Sequence, residues 1–195
     1  MVLILDQTEV FDDVQTLSPQ QVMASLLALP NFAQKQFIEH ITFHLNRAAQ
    51  DAVANLLKEK SDYFLRSNIQ TCLQIADLLC QFGQITQNDW YLALGFRAKA
   101  NAYAYGGLGE YQEAITFYDQ AAEIYKAQNH LVNQAGCHYA KLMPLAHLGR
   151  YDEAKEAGEW ARKILLEHGE WLLLAKVKVN LGLVYLRLGD DAKAL

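Results

Sequence analysis

The dipeptide Leu-Gly closes an apolar stretch three times, at Leu108-Gly109, Leu148-Gly149 and Leu188-Gly189, and the glycines stand 40 residues apart. The chemistry around each returns with them. A charged residue follows (Glu110, Arg150, Asp190), then Tyr111 or Tyr151, with Asp191 in the third copy. Alanine stands five residues past each glycine, at Ala114, Ala154 and Ala194, and another small residue seven further on, at Ala121 and Ala161. A fixed period of this size specifies stacked units, none of which can bury its apolar face alone. The alanines have a packing reason: two helices that cross closely need small side chains at the contact. Ala114→Leu is therefore expected to overpack that contact, by about 1–3 kcal/mol.

Only three prolines occur, Pro19, Pro30 and Pro144, and apolar residues recur at three- and four-residue spacing with almost no strand-like alternation. The chain thus reads as helix after helix. The first runs over about 19–29, with Ser18 as N-cap and Pro19 in the first helical position. Asn31 is read as the cap of a second helix, to about Leu45. A third covers about 47–65, and a fourth ends at Gly83, read as its C-terminal cap. Then come Asn88 to Tyr105, the helix after Gly109, and about 130–148, 152–168 and 171–188. Short connections make successive helices antiparallel. Pro144 lies inside a helix, where it removes a hydrogen bond to Ala140 and is expected to kink it. Gly106-Gly107 should end the preceding helix. Leu142 stands where the neighbouring copies have Ala102 and Gly182, and Gly158 where the previous copy has Tyr118. Volume moved across one contact explains both, so Leu142 and Gly158 are expected to touch.

A helix, a Leu-Gly-x-Tyr turn and a second helix with two spaced alanines resemble the tetratricopeptide repeat, in its longer bacterial variety of about 40 residues. The resemblance is strongest over 91–168. It implies an all-α fold of antiparallel helix pairs stacked into a right-handed solenoid. The organisation expected is an N-terminal extension with capping helices (1–46), a degenerate helix pair (47–86), two repeats (87–129 and 130–169) and a truncated repeat (170–195). In the degenerate pair, Ile69, Leu73 and Ala76 are matched to Ala114, Tyr118 and Ala121. The layout, with "LLALP" ahead of a degenerate repeat, also resembles the N-terminal arm of bacterial proteins that carry a C-terminal caspase-like (CHAT) domain. Because "LGDDAKAL" begins a second helix and stops, the chain is expected to be part of a longer protein.

Composition narrows the function. The chain has 195 residues, 52% hydrophobic, with a net charge of -5, which gives a sizeable core and a poor phosphate binder, so no nucleic acid is expected. No run approaches a membrane span and no signal peptide is present, which points to a cytoplasmic protein. Cys72, Cys80 and Cys137 are read as small core residues, not a disulfide framework. His40 and His44 share a helix face but lack further ligands for a metal, and no cofactor is expected. Cys137 and His138 are sequence neighbours on a helix and do not face each other. Asp152, Glu153 and Glu156 fall on a solvent face, and "YGGLGEY" lacks the strand of a phosphate loop. The chain is not read as an enzyme.

In repeats of this kind the first helix of each pair lines the concave face, where ligands bind. The resemblance places Phe96, Lys99 and Tyr103 there from the first repeat, Tyr139, Met143 and His147 from the second, and Lys176, Asn180, Leu183 and Arg187 from the third. Aromatic anchors with several cations suit a protein or peptide partner, extended or helical, with an acidic end. The version of the fold that clamps a carboxylate pairs a Lys with an Asn one turn on; Lys99 has Tyr103 at that spacing, a departure from it. Two other readings are kept: the recognition arm of a larger enzyme such as a caspase-like protease, and a homo-oligomerisation module that dimerises through an exposed solenoid end.

Overall fold

The computed structural model of the chain describes residues 17–190, and every regular element among them is an α-helix. In order these are α1 (Pro19–Ala28), α2 (Asn31–Thr42), α3 (Arg47–Phe64), α4 (Ile69–Ile85), α5 (Asp89–Tyr105), α6 (Tyr111–Ala127), α7 (Leu131–Ala140), α8 (Leu142–His147), α9 (Tyr151–Glu167) and α10 (Trp171–Leu188). From α3 onward neighbours in sequence pack together, in a tetratricopeptide-like solenoid, while α1 packs on α3 and α2 on α4. The alanine at 194 and the start of the third second-helix lie outside the described residues.

The helix starts follow from local chemistry. Ser18 Oγ accepts from the Gln21 N–H at 3.3 Å while Gln21 Oε1 accepts from the Ser18 N–H at 2.8 Å, a reciprocal capping box. Asn46, Asn68 and Asn88 each accept a backbone N–H of the first turn. Asn31 departs from the expectation: it is the first helical residue behind Pro30, and its Oδ1 accepts from Gln74 Nε2 at 2.8 Å instead of capping. That helix also ends at Thr42, short of Leu45.

Gly83 is a second correction. It sits inside α4, which continues to Ile85 and closes at Thr86. A Cβ on Gly83 would lie 2.5 Å from the Leu92 nitrogen and 2.8 Å from its Cα. The glycine is there so that α4 and α5 can touch backbone to backbone, not to end a helix. The turn glycines do have the expected role: Gly109 and Gly149 hold φ of +72° and +73°, where an L side chain is strained.

Pro144 divides its helix. The break falls at Lys141, between α7 and α8, with φ -82° and ψ -3°. The Ala140 carbonyl, which has no N–H to receive from Pro144, accepts the Tyr105 hydroxyl at 2.9 Å instead. The orphaned acceptor of one repeat is thus satisfied by the last residue of the previous first helix. Leu142 and Gly158 meet, as volume exchange requires: a Cβ on Gly158 would stand 2.9 Å from Leu142 Cδ2, and 2.5 Å from Leu181 Cδ2.

The internal register corrects the simple 40-residue count. Lys99 pairs with Asp77 at 2.8 Å, and Lys141 pairs with Asp119; each member of the second pair lies 42 residues beyond its counterpart. Ala100 and Leu142, both fully buried, are also 42 apart, as are Tyr105 and His147, the last residues of their helices. Gly106 and Gly107 are the two extra residues, inserted between the end of α5 and the Leu-Gly turn. One pair earlier the second helices are offset by 42 as well. The buried set Cys72, Ala76, Leu79 and Cys80 corresponds to Ala114, Tyr118, Ala121 and Ala122, so the counterparts of Ala114, Tyr118 and Ala121 are Cys72, Ala76 and Leu79, not Ile69, Leu73 and Ala76.

Candidate functional groove

Helix α5 is gripped by α4 on one side and α6 on the other, so it shows two further faces. Phe96, Lys99 and Tyr103 lie on the one that faces the second helices. Phe96 and Tyr103 pack on Phe117 of α6, with ring centroids 5.9 and 5.8 Å away. Lys99 lies over the same ring at 4.5 Å and bonds Asp77. Burial works against its charge, but the Asp77 carboxylate outweighs this and raises its pKa. These three residues are structural neighbours of one another, separate from the other seven.

The opposite face of α5 carries Arg97, Asn101 and Tyr105, one helical turn apart. With the 42-residue offset these are the counterparts of Tyr139, Met143 and His147. Together with Asn133 and Tyr139 of α7 and Lys176 of α10 they line a depression of about 310 Å³ built only from first helices. One turn further along, Met143 and His147 of α8, Leu183 and Arg187 of α10, and Tyr151 line another of about 260 Å³. Asn180 joins the two through its contact with Tyr139. Seven of the ten residues singled out by sequence thus share this groove. Arg97, Asn101 and Tyr105 take the place of the other three; a count of 42 from α7–α8 would have found them.

Arg97 is the centre of the groove's electrostatics. It lies half-buried between α5, α6 and α7, beside Tyr125, Tyr118 and Cys137. Burial disfavours its charge, and these polar neighbours more than offset that, so its pKa lies above the usual value. Among the described residues it makes no ion pair with a carboxylate. Asn101 is held by the Tyr118 hydroxyl, which donates to its Oδ1 at 2.7 Å and leaves the amide N–H groups of Asn101 free to point elsewhere. Burial, with Tyr139 close by, pushes Tyr105 up to about 12, so it stays a neutral donor. Among the described residues no Asp or Glu lines either depression. In a chain of net charge -5, the groove gathers Arg97, Lys176 and Arg187.

The other candidates do not assemble into chemistry. His40 and His44 have ring centroids 4.9 Å apart, and among the described residues no group of three or more His, Cys, Asp or Glu side chains could hold a metal. Cys137 is buried in the core, where burial pushes its thiol up to about 11, and His138 instead tilts against Trp160 at 4.6 Å. Cys72 and Cys80 are buried and unbridged. Among the described residues no helix is long and apolar enough to cross a membrane.

Residues 102–128, the last turn of α5 through α6, match a family model described as Tetratricopeptide repeat. No curated protein matches the chain. The match and the stacked helix pairs together support a tetratricopeptide repeat protein, a fold that serves in protein interaction.

Proposed function

We propose that the chain is an interaction scaffold that holds an acidic peptide segment across the groove of its first helices. The observation that carries this is the half-buried Arg97, which makes no ion pair among the described residues and opens onto Asn101, Tyr105, Asn133 and Lys176. A half-buried guanidinium without an anion keeps its donor fork available, and a planar carboxylate matches that fork. Tyr139, Met143 and Leu183 supply apolar contact on either side, as aromatic and methionine anchors do in peptide grooves. The Arg97–Asn101 spacing, a cation with an asparagine one turn on, is the pairing that Lys99 and Tyr103 lack.

The test is binding to an array of unstructured peptides of matched length, graded from acidic to basic. Acidic peptides should bind best, and weaken as salt is raised. Lys176→Glu and Arg187→Glu, both at exposed positions, should remove that preference while far-UV circular dichroism is unchanged. Equal binding of basic and acidic peptides, or a preference untouched by both variants, would overturn the proposal.

A further inference from the structure

Helices α2 and α4 pack on each other, and a crevice of about 440 Å³ opens along their contact, with Tyr103 of α5 at its side. Its polar lining is mostly of one kind. Asn31 and Gln34 come from α2, and Gln70, Gln74 and Gln81 from α4. Positions 70, 74 and 81 share one helical face, so the three glutamines stand in a row along α4. On a solvated face such a row would need no explanation, but this one runs into the protein. Gln34 is 2% exposed. Its Nε2 donates to the Leu29 carbonyl at 3.0 Å, and its Oε1 accepts from Gln74 Nε2 at 2.7 Å. The same Gln74 nitrogen donates to Asn31 Oδ1 at 2.8 Å, which uses both of its hydrogens. Three carboxamides are thus fixed in place by one another.

Gln81 supplies the second observation. Its Oε1 is buried and has no hydrogen-bond partner among the described residues. Turning the amide over would only exchange an unmet acceptor for an unmet donor. A buried polar atom in this condition is unfavourable until a partner reaches it.

The lining names the ligand. Each carboxamide offers a donor and an acceptor side by side, the same pair that a peptide group offers. The charged groups of the crevice are already engaged: Asp77 pairs with Lys99 at 2.8 Å, and Lys35 stands 3.9 Å from Glu39. The row from Gln70 to Gln81 is about 16 Å long at about 1.5 Å per residue. That exceeds a single sugar or nucleoside and equals about five residues of extended chain at about 3.3 Å each. Leu73 and Tyr103 give apolar contact beside the row, and the Tyr103 ring is held flat against Phe117.

We propose that this crevice binds an extended, uncharged peptide segment through hydrogen bonds between its backbone and the carboxamide row. The site is independent of the groove of the first helices, because Tyr103 stands on the other face of α5 from Arg97. Backbone recognition makes it tolerant of side-chain sequence and insensitive to salt, unlike a site for acidic peptides.

The test follows fluorescence anisotropy of capped, proline-free, uncharged peptides of about ten residues against the full 195-residue chain. Different sequences should bind within about tenfold of one another, each changing less than about twofold between about 50 and about 500 mM salt. N-methylation of alternate peptide bonds removes donors and keeps the side chains; one of its two registers should weaken binding at least about tenfold. Gln70→Met, at an exposed position, and Gln81→Met should each weaken it at least about fivefold. Gln81→Met should also melt at or above the parent temperature, because the oxygen it removes had no partner. Lys176→Glu should leave binding of these peptides unchanged. The proposal is overturned if no such peptide binds, if binding survives either glutamine variant or both methylation registers, or if Lys176→Glu abolishes it. A lowered melt for Gln81→Met overturns it too, since the oxygen would then be serving the fold.

Discussion

Gly83 and Gly136 are both buried glycines inside helices, and the same substitution should move them in opposite directions. In an ordinary helix interior, alanine is favoured over glycine by about 1 kcal/mol. At Gly136 a new Cβ meets nothing within 4 Å. Gly136→Ala should therefore stabilise by about 1 kcal/mol. At Gly83 the new Cβ would stand 2.5 Å from the Leu92 nitrogen and 2.8 Å from its Cα. Those are backbone atoms, which cannot rotate aside, so α4 and α5 must separate. Overpacking of this kind costs about 1–3 kcal/mol, and the upper part applies where a whole helix must shift. After the propensity gain, Gly83→Ala should lose about 1–2 kcal/mol. In a chain of this size each kcal/mol moves Tm by about 2–4 °C. Urea and thermal melts of both variants, followed by far-UV circular dichroism, test the difference. Gly83→Ala melting at or above the parent would refute the backbone-contact argument. If both variants rose together, only helix propensity would be at work.

Three further outcomes follow from the packing and titration. Tyr105→Phe removes the donor to the Ala140 carbonyl at an exposed position and should cost about 0.5–1.5 kcal/mol; an unchanged melt would mean that water replaces the hydroxyl. Leu142→Ala should cost about 2–5 kcal/mol in the parent but clearly less beside Gly158→Ala, whose methyl occupies part of the vacated space; an additive double-mutant cycle would refute the contact. Burial, with Lys141 adding to it, lowers His138 to about 4 from the ordinary 6.5. The folded state then refuses a proton that the unfolded chain accepts, so stability present above about pH 6.5 is lost as pH falls toward 4. His138→Gln should flatten that slope in urea melts taken across the range, and an unaltered slope would assign it to other groups.

The helical architecture was readable because periodicity, caps and turn glycines all act locally. Ser18 meets its own first turn, and Gly109 and Gly149 need only their own φ. What misled were residues whose role depends on a distant neighbour. Gly83 has the composition of a cap, and only Leu92 shows that it is a contact. Asn31 looks like a cap until Gln74 claims its oxygen. Two of the three residues that fall outside the groove, Lys99 and Tyr103, share one cause: counting 40 back from Tyr139 and Met143 passes through Gly106-Gly107 and lands on the other side of α5. The same two glycines hide Arg97, which no local pattern marks as special. Leu142 and Gly158 were legible despite their separation, because each departs from its repeat in the opposite sense.

The Gly106-Gly107 insertion has a practical reach. The closest packing joins second helices to first helices, as at Gly83 against Leu92, while the groove is lined mainly by first helices, and the turn is where the two are stitched together. Lengthening that stitch changes which residue numbers are counted as equivalent without altering which atoms are pressed together in the core. The solenoid therefore behaves like two strips of lettering fastened at their turns: the backing stays in place while the text on the front is re-spaced. A redesign that seeks a new specificity here can begin by varying the turns, and should index groove positions from Lys99 and Lys141, not from the glycines.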